Sequence, residues 1–106
     1  EVKSVTLLEQ PVSRGVGFFP DAVSERGTRH LRELERVFAS GRRAVLCFCV
    51  QHSGIREVRP AAHIDPAYAQ ALASAVDAGV EVIAHKVRMS PRSLTIGRSL
   101  PVIIGS

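Results

Sequence analysis

The run Ala44-Val45-Leu46-Cys47-Phe48-Cys49-Val50 is uninterrupted apolar sequence of strand length. It has no polar alternate to turn toward water, so it predicts a central strand covered on both faces, as in a βαβ crossover. Such a strand needs a helix on either side of it in sequence. Before it, Leu31, Leu34 and Phe38 recur at three- and four-residue spacing. Ser24 or Asp21 can cap that helix, Glu25 suits its first turn and Gly41 ends it. After it, Asp65-Pro66 supplies a cap and a first-turn proline for a helix over Pro66 to Ala78. Tyr68, Leu72 and Val76 line one side of that helix, and Gly79 closes it. Val80 to Arg88 then predicts a strand, with Leu94-Thr95-Ile96 and Leu100 to Ile104 as short strands around Pro91 and Gly97. Gln10 to Pro20 predicts a loop whose Phe18-Phe19 pair tucks into the core, and Ile55 to Ile64 an irregular segment. The order β-α-β-α-β-β predicts an α/β fold, a three-layer mixed sheet with helices on both faces. There are no repeats and no low-complexity segments.

The opening stretch, Glu1 to Leu8, alternates and predicts one strand. Glu1, Lys3, Val5 and Leu7 fall on one side of it, and Val2, Ser4, Thr6 and Leu8 on the other. At the rise of an extended chain Glu1 and Lys3 stand roughly 6–7 Å apart at their Cα atoms, within common reach of one ligand such as a metal-bound phosphate. The same pair also suits a solvated ion pair, which contributes little to stability.

A chain of 106 residues buries a single core. With 45% apolar and 23% charged residues it is globular in composition, neither disordered nor membranous. No apolar run approaches the roughly eighteen residues of a spanning helix, and no basic-then-apolar leader is present, so the expectation is a soluble cytosolic protein with no membrane partner. The net charge of +4 comes from 14 Lys and Arg against 10 Asp and Glu, with Arg predominating. Guanidinium forks match phosphate oxygens bidentately, which makes an anionic partner, nucleic acid first, the natural expectation. Cys47 and Cys49 share a strand face but have no second pair at zinc-site spacing, and are expected to be small apolar side chains in a reducing compartment.

On the first helix Arg29, Arg32 and Arg36 form a basic stripe, with Arg26 and His30 turned partway toward the core. Such a stripe is ordinarily a solvated face, and Glu25, Glu33 and Glu35 offer it local partners. Gln51-His52-Ser53 follows the central strand at its C-terminal end, where open α/β sheets place ligand groups. His52 is there either for substrate contact or as a hydrogen-bonded loop histidine.

Taken together, Glu1-Val2-Lys3-Ser4-Val5-Thr6-Leu7, Phe19-Pro20-Asp21-Ala22-Val23, Glu25-Arg26-Gly27, His30-Leu31-Arg32-Glu33-Leu34, Arg43-Ala44-Val45 and Gln51-His52-Ser53 resemble the C-terminal domain of the sugar fermentation stimulation protein family. His63-Ile64-Asp65, Gly79-Val80-Glu81 and Leu100-Pro101-Val102 are similar to it as well, so the likeness spans essentially the whole chain. The resemblance implies a prokaryotic, cytoplasmic protein of about twice this length, with an OB-like N-terminal domain absent from these residues. It implies that residues 1–106 form a restriction-endonuclease-like core of the PD-(D/E)xK type, without its upstream elements. It further implies DNA binding linked to regulation of sugar (maltose) metabolism, and it lays the acid-x-lysine of the nuclease motif on Glu1 and Lys3. The aspartate that precedes that pair in the family's pattern has no counterpart here, since Asp21 lies in a later loop.

Three functions stay open on these residues. In a nuclease, Glu1 would be a hard oxygen ligand for Mg²⁺ or Mn²⁺ and Lys3 would orient the attacking water, with Arg26, Arg29 and His30 holding flanking phosphates. In a DNA-binding module the same groups, with His52, contact phosphates without cleavage. In a structural domain the charge is incidental and the arginines pair with neighbouring glutamates. An open edge at the first strand would also allow two copies to pair as a homo-oligomer.

Overall fold

The computed structural model describes residues 2–5, 7–8, 15–20, 22–51 and 54–104. Nine elements follow in order among them: β1 (Val2–Val5), β2 (Leu7–Leu8), β3 (Val16–Phe19), α1 (Glu25–Ala39), β4 (Val45–Val50), β5 (Glu57–Pro60), α2 (Pro66–Ala78), β6 (Glu81–Ser90) and β7 (Ser93–Leu100). They build two sheets. One is mixed, in the order β1-β4-β6-β7, and the other has the order β2-β3-β5.

The apolar run is β4, and it does lie inside the larger sheet, parallel to β1 on one side and to β6 on the other. The expectation of helices on both faces does not hold. Parallel strands β1, β4 and β6 advance in one direction, each joined to the next by a helix, and right-handed crossovers of that kind put both helices on the same face. The helices touch accordingly, Ser74 of α2 donating its hydroxyl hydrogen bond to Glu35 of α1. Along β4 burial alternates: Leu46, Phe48 and Val50 are buried beneath the helices, whereas Val45, Cys47 and Cys49 on the other face are only half-buried. A continuous apolar run was therefore covered fully on one side and partly on the other.

Both helices begin and end on local chemistry. Ser24 caps α1, accepting from the Gly27 N–H at 2.9 Å. Asp65 caps α2 with proline in the first turn, and Gly79 closes it at φ 118°, in the left-handed region that favours glycine. Leu31, Phe48, Tyr68, Leu72 and Ala75 form the centre of one core. The smaller sheet closes one end of that core, where Phe19 packs on Phe48 and on Tyr68 with ring centroids 5.4 and 5.5 Å apart.

Three further expectations are corrected. The opening stretch is two strands, since β1 joins the larger sheet while β2 turns away to pair antiparallel with β3. The segments expected as loop and irregular chain contain β3 and β5, which pair with each other in parallel. The short strand expected at Leu94-Thr95-Ile96 is part of a longer strand that runs through Gly97, β7, antiparallel to β6 with the register slip taken up between His85 and Val87. Of the strand expected over Leu100 to Ile104, only Leu100 belongs to β7, and Val102 makes an isolated parallel bridge to Val58. No helix among the described residues is long and apolar enough to cross a membrane.

Candidate nucleic-acid interface

The site begins with α1, whose sequence alternates a narrow apolar stripe with charge. Leu31 is buried and Leu34 half-buried, which fixes the rotation of the helix and leaves Arg29, Arg32 and Arg36 exposed. Arg26 is exposed too, while His30 is half-buried and engaged with its surroundings. Of the two side chains expected to lean toward the core, His30 does and Arg26 does not. Arg36 sits in the last turn of α1, where the helix dipole favours a cation.

The glutamates expected to neutralise this stripe do not reach it among the described residues. Glu35 accepts from Ser74 instead. Ion pairs form elsewhere, Arg43 pairing with Glu81 and Arg59 with Glu57. Arg43 and Glu81 are both exposed and tie the entry of β4 to the start of β6; their hydrogen bond raises the arginine pKa and lowers that of the carboxyl. Those two arginines are spoken for, whereas the α1 arginines face solvent.

A shallow groove opens beside Arg29 and Arg32, bounded by Val23, Ser24, Thr28 and Asp65. Its floor is a crossing of two helix starts. Asp65 is buried. Its Oδ1 accepts from the Tyr68 N–H at 3.0 Å, capping its own helix, and its Oδ2 accepts from the Ser24 N–H at 2.8 Å, holding the start of the other. That carboxylate occupies amides that a phosphate would otherwise use. Attraction for an anion at this end of the molecule therefore rests with the guanidinium groups.

The remaining sequence candidates scatter. Lys3 lies in β1, in register with Phe48 of β4. Glu1 and His52 lie outside the described residues. Among the described residues no group of three or more His, Cys, Asp or Glu side chains is placed to hold a metal ion. Sequence reasoning passed over Lys86, a half-buried lysine whose place beside Val50, at the C-terminal end of the parallel strands, follows only from the register of β4 and β6.

Residues 1–93 match the family model described as the sugar fermentation stimulation protein RE domain. A sugar fermentation stimulation protein homolog of Shewanella denitrificans is 55% identical over 103 residues, covering 97% of this chain and 43% of the relative. A Marinomonas homolog is 53% identical over 104 residues, covering 98% of this chain and 39% of the relative. Among solved structures, Pyrococcus furiosus SfsA in complex with Ca²⁺ superposes with a TM-score of 0.84 at 31% identity, over 98% of this chain and 44% of the other. The chain thus spans about two-fifths of the length of the relatives it matches.

Proposed function

The chain belongs to the sugar fermentation stimulation protein family, and from that premise we propose that it is a DNA-binding domain of restriction-endonuclease-like fold serving regulation of sugar metabolism, maltose included. The observation that carries this reading is the row Arg26, Arg29, Arg32 and Arg36, exposed on one helix and without ion-pair partners among the described residues. Each guanidinium presents a planar fork to phosphate oxygens, and each phosphate neutralised releases counterions. Affinity gained this way is independent of base sequence and falls with salt.

The experiment is duplex-DNA binding by fluorescence anisotropy across a range of NaCl concentrations. The expected result is a linear fall of log K with log salt concentration, and a slope shallower by about two in Arg29→Ala/Arg32→Ala, since each phosphate contact contributes roughly 0.9. An identical slope in the variant and the parent would defeat the assignment.

A second reading, metal-dependent hydrolysis of DNA, is favoured by the Ca²⁺ in the Pyrococcus structure. Ca²⁺, Mg²⁺ and Mn²⁺ all take carboxylate oxygens. The described residues of this chain do not furnish such a donor set, because no three candidate ligands converge and both Asp65 oxygens already accept backbone N–H groups. Glu1 and Lys3 remain the acid-x-lysine pair of this reading, and no hydrolytic step follows from them alone. Binding that persists in chelator, with no DNA product in Mg²⁺ or Mn²⁺, favours the binding module. Product that disappears in Glu1→Ala and Lys3→Ala favours the nuclease.

A further inference from the structure

The two faces of the larger sheet differ in what covers them. Leu46, Phe48, Val50 and Ala84 lie sealed against the helices. On the opposite face stand Val45, Cys47 and Cys49, and the parallel register sets Ile83 beside Cys47 and His85 beside Cys49. The antiparallel register carries the same row onto β7, with Ile96 opposite Val87 and Leu94 opposite Met89. Ile83 is 41% exposed, Leu94 58% and Ile96 65%.

The alternation of the β6–β7 hairpin makes this exposure informative. Lys86, Arg88 and Thr95 belong to the row on the helix side, while Ile83, Val87, Ile96 and Leu94 belong to the open row. A half-solvated antiparallel hairpin turns its apolar row inward and its polar row to water. Here the apolar row is the one without a cover among the described residues. The Cys47 thiol fits that setting: burial, and after it the neighbouring Cys49 thiol, push its pKa up, so it stays neutral and weakly polar. Contiguous apolar surface of this kind marks an interaction face.

Two occupants compete for it, a second copy of this chain and the rest of the family polypeptide. The relatives are more than twice as long as the segment they share with this chain. A covalently tethered partner acts at an effective concentration on the order of millimolar, well above that of a free second copy. We infer that the open face, running from Cys47 across Ile83 to Ile96, is an intramolecular docking surface, covered in the full-length family polypeptide by an apolar side of the part outside these 106 residues. α1 lies across the sheet from this face, so the inference stands independently of the DNA-binding proposal.

The test uses the full-length family polypeptide carrying this sequence. Native-state labelling of Cys47 and Cys49 with a charged, bulky maleimide is resolved peptide by peptide, over a hundredfold range of protein concentration, alongside light scattering. The expected result is slow labelling that does not change with concentration and that accelerates at least tenfold in Ile83→Arg, where a guanidinium is forced into the seam. Ile96→Arg is the companion variant, because Ile96 makes little of this domain's own core and its substitution leaves the fold intact. Labelling rates unchanged in both variants overturn the inference. So does protection that is lost on dilution together with a dimer, which would assign the face to a second copy.

Discussion

Gly27 shows how tightly the helix starts are built. It lies buried inside α1, and a Cβ placed on it would stand 2.8 Å from Ser24 Oγ and 3.0 Å from Tyr68 Cε2. Ser24 Oγ is the capping acceptor for the Gly27 N–H itself, and Tyr68 is fully buried. Alanine would add about 1 kcal/mol of helix propensity. Against that stand overpacking, which costs roughly 1–3 kcal/mol, and weakening of a cap worth about 1 kcal/mol. Gly27→Ala is therefore expected to destabilise the chain by about 1–2 kcal/mol in urea denaturation followed by circular dichroism. A raised midpoint would show that the ring can yield. At this scale the caps were legible, because Ser24 and Asp65 announce themselves within three residues of the amides they serve. That Asp65 also holds the Ser24 N–H, 41 residues away, was not. Tertiary pairing of that kind leaves no local pattern.

Among the elements, α1, α2, β4 and β6 were legible because each has a periodicity or a continuous apolar run closed by recognisable ends. β3 and β5 were not, since each is four residues long and includes a glycine or a proline, and the parallel pairing that joins them links segments some forty residues apart in sequence. The binding stripe on α1 was legible as a stripe. Its lack of glutamate partners among the described residues was not, because Glu35 is drawn to Ser74 on another helix. The acid-x-lysine pair was legible as a motif, yet Lys3 alone of it is described. β4 carries the consequence for stability. Phe48 lies buried on it with Phe19 of the smaller sheet against its ring, so one side chain belongs to the packing of both sheets. Phe48→Ala is expected to cost about 3–5 kcal/mol, as large-to-small changes at buried aromatics do. Amide exchange should rise in β3 and β5 as well as in β4. A loss confined to β4 would mean that Phe19 and Tyr68 hold the smaller sheet by themselves.

For the molecule as a whole the question is whether two sheets make one cooperative unit. The rings at their junction are one connection, and the C-terminal segment is a second. After β7 the chain leaves the larger sheet and lies beside β5 of the smaller one. There the Val58 N–H donates to the Pro101 carbonyl at 3.0 Å and the Ile103 N–H donates to the Val58 carbonyl at 2.9 Å. Val102 bridges to Val58 in parallel, and Val102 and Ile104 pack against the common core. Tyr68 is the single tyrosine in a chain without tryptophan, so its fluorescence reports from the junction. With both connections intact, Tyr68 fluorescence and far-ultraviolet circular dichroism should trace one coincident urea transition. Truncation after Leu100 removes two backbone hydrogen bonds, at about 1 kcal/mol each, and the partial burial of two apolar side chains, for a loss of about 3–4 kcal/mol. Domains of ordinary stability have about 5–15 kcal/mol in total, so a loss of that size should bring the smaller sheet to the point of opening on its own. The truncated chain is thus expected to show the Tyr68 signal changing at lower urea than the helical signal. If the two curves stay superimposed, the rings alone couple the sheets and the C-terminal segment adds stability without cooperativity.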